Sequence, residues 1–159
     1  MNKPEVTTVS GWREWLRLPD IGIPGLVAII DTGSESSTLQ TSFIEHYRQG
    51  GDLWVRFGVN PLPHRDEVRI VSQAPVKKHI ALQNSEHHDE NLFVIESTVT
   101  LGAKSIVTEV VLNPSQNEPF SFHLGRNALQ GFGYLIDPTK EHQLGILNES
   151  LYSNQLKAG

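Results

Sequence analysis

Leu26-Val-Ala-Ile-Ile-Asp31-Thr32-Gly33-Ser34 is the stretch on which the fold of this chain turns. Five apolar residues without alternation read as a strand buried on both faces. That strand ends on an ionisable side chain, then a small polar residue and a glycine. It therefore delivers the Asp31 carboxyl to a turn at the rim of a core. There Thr32 and Ser34 can hydrogen-bond, and Gly33 lets a backbone amide approach the carboxylate. Taken alone, the same residues are equally an ordinary polar turn.

Outward from that strand, helical periodicity is nearly absent and short β-rich runs broken by Gly, Pro and Asn dominate. Strands are expected over residues 12–18, 36–43, 53–59, 68–73, 76–82 and 120–124, with a last one at 134–138. Residues 92–101 and 105–112 bracket Gly102-Ala-Lys104 as a hairpin. Residues 42–49 read as one or two helical turns stopped by Gly50-Gly51, and 126–130 as a short helix. The expected fold class is all-β with one or two short helices. Residues 1–147 are expected to form a single domain, followed by a polar tail, 148–159, with the composition of a disordered segment.

Composition narrows the function. With 13 basic against 18 acidic residues the formal charge is −5, which argues against a nucleic-acid surface. The absence of cysteine removes disulfides, thiol catalysis and thiolate metal sites. No run is apolar enough for a membrane-spanning helix. The N-terminal Met1-Asn-Lys-Pro-Glu-Val6 lacks a signal-peptide core, which leaves localisation open between cytoplasm and periplasm.

The second informative stretch is Phe122-His-Leu-Gly125-Arg126-Asn-Ala-Leu129. Here a short apolar strand runs into a glycine and then a helix start, and such a glycine marks close approach of another backbone. One Asp-Thr-Gly behind an apolar strand, a hairpin-rich middle, and then Leu-Gly-Arg-Asn resembles the retropepsins, the single-domain aspartic peptidases of retroviral type. A narrower resemblance rests on Gly11-Trp-Arg-Glu-Trp-Leu-Arg-Leu-Pro-Asp-Ile-Gly-Ile-Pro24, Trp54-Val-Arg-Phe57 and Leu135-Ile-Asp-Pro138. These are similar to a bacterial retropepsin-like family that carries the label ATP-dependent zinc protease and is linked to RimK-type ATP-grasp ligases. The resemblance spans about residues 9–145. In that family Ala-Arg-Thr-Ser-Ala usually follows the Asp-Thr-Gly, whereas this chain has Ser34-Glu-Ser-Ser-Thr38.

The resemblance implies a closed retropepsin-like barrel of acid-protease fold and an aspartic peptidase acting on peptide or peptide-like amide bonds. That chemistry needs two carboxylates sharing one proton, because like charges at close range cannot both ionise. The chain carries one Asp-Thr-Gly, and Asp137 lacks its context, so the dyad requires a homodimer with Asp31 from each copy. Asp31 is the expected catalytic residue. Thr32, Gly33, Ser34, Glu35, Gly125 and Arg126 are the expected supporting loop, with Glu35 and Arg126 paired as ions. The hairpin of residues 76–82 and 92–98, tip at 83–91, is the expected flap. A catalytically silent module that binds peptides or a partner protein is the alternative.

Zinc and ATP find no motif despite the family label. There is no His-Glu-x-x-His and no Gly-x-x-x-x-Gly-Lys, and His87-His88 is the only histidine cluster, read as surface loop. No cofactor is expected. The expected partners are a peptide-like substrate, a second copy of the chain and, through the resemblance, an ATP-grasp ligase.

Overall fold

The computed structural model describes residues 7–62, 65–83, 89–115 and 118–153. Twelve strands follow in chain order: β1 (Val9–Ser10), β2 (Arg13–Leu18), β3 (Ile23–Ile30), β4 (Ser37–Gln40), β5 (Phe43–Gln49), β6 (Asp52–Val59), β7 (Ile70–Pro75), β8 (Lys78–Gln83), β9 (Asp89–Leu101), β10 (Lys104–Asn113), β11 (Phe122–Leu124) and β12 (Leu135–Ile136). The helix α1 (Arg126–Phe132) sits between β11 and β12, and short 3-10 turns occupy Pro19–Ile21 and Glu149–Tyr152.

Six strands close a barrel in the order β10, β4, β11, β3, β2 and β9, with β9 pairing back to β10. The all-β, retropepsin-like barrel expected from the sequence is thus present, with one α-helix. Closure leaves no free edge within the ring. β3 is buried along almost its whole length, because β2 covers one edge antiparallel and β11 the other in parallel. That placement explains its unbroken apolar run. β9 is longer than the barrel needs. Its later half pairs with β10 and its first half leaves the ring to pair with β8. The hairpin read as a flap is therefore formed, while its tip at 84–88 lies outside the described residues.

Residues 42–49 require a correction. They form β5, paired antiparallel with β6 from Phe43↔Gly58 to Gln49↔Asp52, and β7 completes a three-stranded sheet. Gly50 and Gly51 have φ of 60° and 86°. Positive φ at both central residues is what a type I′ hairpin turn needs, so Gly-Gly here reverses a strand instead of ending a helix.

β2 alternates as a half-buried strand should, with Glu14, Leu16 and Leu18 on the inner face. Glu14 is fully buried. Its Oε2 accepts from the amides of Gly11 (2.7 Å) and Gln143 (2.9 Å), and its Oε1 from the amide of Leu144 (3.0 Å). A charged acceptor at a core position thus ties the segment after β12 back onto the barrel. Glu14→Ala would leave three amides, one buried and two part-buried, without their acceptor. Urea unfolding is expected to show a loss of about 3–5 kcal/mol, with Glu14→Gln, which turns a donor toward donors, also clearly destabilised.

The C-terminal segment is also more ordered than its polarity implies. The expected loose tail from Asn148 is corrected as far as Ser153, because the Glu149–Tyr152 turn is capped by the Asn148 side chain and Tyr152 is buried with Leu62 and Val68. The Tyr152 hydroxyl donates to the Gly25 carbonyl in β3. Burial pushes its pKa up to about 12, against about 10 in an unfolded chain. The unfolded state then releases the proton first, so this residue stabilises the fold fully below pH 10 and less as pH rises toward 12. Urea midpoints measured between pH 8 and 12 are expected to fall less steeply for Tyr152→Phe than for the wild type.

Candidate active site

The site forms where β3 ends against β11. Their parallel register sets Leu124 beside Ile30, and the Asp31 amide continues the ladder by donating to the Leu124 carbonyl at 2.9 Å. Past that point the two segments stay stitched together. The Arg126 amide donates to the Ser34 carbonyl (2.8 Å) and the Asn127 amide to the Glu35 carbonyl (3.0 Å). These are first-turn amides of α1, which have no partner inside the helix. The Gly125 amide donates to Ser37 Oγ at 3.0 Å.

Gly125 has ordinary extended torsions, so backbone freedom is not its role. Space is. A Cβ there would lie 2.5 Å from both the carbonyl carbon and the oxygen of Ser36. The loop after Asp31 passes so close to the β11–α1 junction that only hydrogen fits between them.

The Asp31 carboxylate is held at both oxygens. Oδ1 accepts from the Gly33 amide (3.0 Å) and Oδ2 from the Ser34 hydroxyl (2.8 Å). The Ser34 hydrogen bond is the main reason its pKa lies below the usual carboxylate value. Partial burial opposes this, and the Gly33 amide and the His123 ring add to the lowering. The carboxylate is nevertheless 28% exposed, and Thr32 and Gly33 lie on the surface. A single copy of the chain thus presents a braced, ionised carboxylate on an uncovered loop.

Arg126 braces that loop differently from the ion pair expected. Its Nη1 donates to the Thr32 carbonyl at 3.0 Å. The Glu35 carboxylate takes no part, because it is exposed and only its main-chain carbonyl joins the network. The correction has a simple cause: Glu35 is exposed, and an ion pair between two solvated side chains gains little.

Asp137, the other aspartate near the second motif, is a turn residue. Its Oδ1 accepts from both the amide and the hydroxyl of Thr139. His87 and His88 lie outside the described residues. Among the described residues no group of three or more His, Asp or Glu side chains is arranged to hold a metal.

One residue at the site escaped the sequence reading. His123, quoted there only within the second informative stretch, places Nδ1 3.6 Å from Asp31 Oδ2 and Nε2 3.8 Å from Glu118 Oε2. The signal was available in its neighbours: Phe122 and Leu124 are core residues, so the residue between them must face the other way.

Comparison with known proteins fits this geometry. The chain is 31% identical over 141 residues to a probable alpha-L-glutamate ligase of Parasynechococcus marenigrum, covering 89% of this chain and 30% of that protein. It is 30% identical to the protein of the same name in Desulfotalea psychrophila, where all of this chain corresponds to 40% of the relative. The chain thus spans well under half the length of these ligases. Among solved structures, Lpg0085 of Legionella pneumophila, of unknown function, superposes with a TM-score of 0.70 at 22% identity, covering 87% of this chain and 99% of that one, a likeness of fold. Residues 9–144 match the RimB-like family, described as retropepsin-like aspartic endopeptidase RimB, and the chain belongs to that family.

Proposed function

We propose that this protein is an aspartic peptidase that hydrolyses peptide or peptide-like amide bonds at a site shared by two copies of the chain. The observation that carries the reading is the Asp31 carboxylate, held at one oxygen by the Gly33 amide and at the other by the Ser34 hydroxyl, on a loop with exposed Thr32 and Gly33. Facing its twin across a two-fold axis, such a carboxylate would share one proton with it. The ionised partner takes a proton from water while the protonated one polarises the scissile carbonyl. The dyad would titrate as a pair, one proton being held more tightly and one less tightly than by Asp31 alone. Thr32 and Gly33 are the residues a second copy would cover, and Arg126 fixes the Thr32 carbonyl at that surface. The β8–β9 hairpin is the proposed flap over the substrate.

The ligase names of the relatives support a further part of the reading: the protein works beside an ATP-grasp glutamate ligase, on chains that contain glutamate. The test is hydrolysis of an internally quenched peptide library that includes glutamyl-rich members, at acidic and neutral pH, with sedimentation of the same sample. Cleavage by a dimer, lost in Asp31→Asn, is expected. Peptide binding without cleavage at any pH would reject the peptidase reading in favour of a binding module.

A further inference from the structure

β11 lies between β3 and β4, with His123 beside Ile29 on one side and Thr38 on the other. In parallel register, Asp31 follows two residues after Ile29, so its side chain emerges on the same face as His123. This is how a histidine far along the chain comes to stand with Nδ1 3.6 Å from the Asp31 oxygen that also accepts the Ser34 hydroxyl. The ring is 23% exposed and its Nε2 is buried without a hydrogen-bond partner. The neighbouring strand positions, Ile29 and Thr38, carry no charge. The ionisable groups facing the ring among the described residues are Asp31, from the loop after β3, and Glu118, from the segment before β11.

We propose that His123 is a positioning residue for the Asp31 carboxylate: as an imidazolium it holds the outer oxygen ionised, and so extends the working range of the site on its acid side. Its consequence for catalysis rests on the peptidase reading above, whereas the contact itself does not. An imidazole in water carries charge below about pH 6. A dyad works with one proton and stops when a second proton binds. A cation beside that oxygen opposes the second proton, because protonating Asp31 would remove the nearer of the imidazolium's two carboxylate partners and leave only Glu118, at 3.8 Å. The Ser34 hydrogen bond is the larger influence on that carboxylate, and the imidazolium adds to it a net charge that the hydroxyl does not bring.

The experiment follows the Asp31 carboxyl carbon by NMR in the full-length protein from pH 2.5 to 7. It compares the wild type with His123→Gln, His123→Phe and His123→Lys. The Phe variant keeps a ring of similar bulk, so a packing defect in the Gln variant cannot decide the result. Both neutral variants are expected to titrate at higher pH than the wild type, and the Lys variant to return toward it. Titration of either folded neutral variant at the wild-type midpoint would overturn the proposal. With a cleavable peptide in hand, the acid limb of kcat/KM is expected to move up in the neutral variants, lowering the rate there about tenfold per pH unit of displacement. If the wild type cleaves nothing at any pH, the peptidase reading fails, and the carboxyl titration still decides the role of His123.

Discussion

Asp31→Asn is expected to remove peptide hydrolysis almost entirely, with a loss of about 10²–10⁴-fold in kcat, while the protein stays folded. The structural side follows from the hydrogen bonds. The carboxamide oxygen can keep the Gly33 amide, and the amide nitrogen can donate to the Ser34 hydroxyl, which accepts as readily as it donates. No buried group is orphaned, so the stability change should stay within about 1 kcal/mol near neutral pH. The chemical loss is larger, because an amide neither takes a proton from water nor shares one with the opposing carboxylate, and positioned acid–base groups contribute about 10²–10⁴-fold. One Asp-Thr-Gly per chain adds a sharper expectation. Equal amounts of wild type and variant, allowed to exchange subunits, should retain about a quarter of the activity of the same total of wild type if the site is shared by a two-fold dimer. A site complete in one chain would retain about half. The rate assay on the mixed sample distinguishes the two.

Gly125→Ala is expected to cost about 3 kcal/mol in stability and to remove activity as well. The added methyl would meet the carbonyl group of Ser36 at 2.5 Å, and what it meets is backbone, so no side chain can swing aside. The loop from Asp31 to Ser37 would have to move away from the β11–α1 junction. It would then lose the bonds from the Arg126 and Asn127 amides and from the Gly125 amide to Ser37 Oγ. Chemical denaturation reads the first effect. The second is read as loss of kcat in whatever fraction remains folded. A fully stable Gly125→Ala protein would contradict the close approach seen here.

The misread elements share a cause. Phe43-Ile-Glu-His-Tyr-Arg-Gln49 carries neither strict alternation nor a helical stripe, and Gly50-Gly51 suits a helix stop and a hairpin turn equally well. The pairing partner β6 made the choice, and it lies beyond the window in which periodicity is judged. Tyr152 is a similar case: apart from Leu151 the residues around it are polar, and the presence of Leu62, Val68 and the Gly25 carbonyl makes its burial favourable. Glu14 shows the opposite hazard. Its inner-face position in an alternating strand was legible, but two of the three amides that satisfy it, those of Gln143 and Leu144, come from a segment far along the chain.

From the sequence alone came the all-β class, the buried strand ending at Asp31, the second motif at Gly125 and the family they resemble. These rest on local patterns, such as apolar runs, turn residues and short motifs, which need no partner to be recognised. Tertiary structure alone decided which side chains from far along the chain reach the Asp31 loop. The parallel register of β3 and β11 brought His123 to Asp31, and the loop's tight passage past Gly125 turned Arg126 toward the Thr32 carbonyl and left Glu35 in solvent. Register and loop direction depend on contacts between residues about ninety positions apart, and no local propensity encodes them.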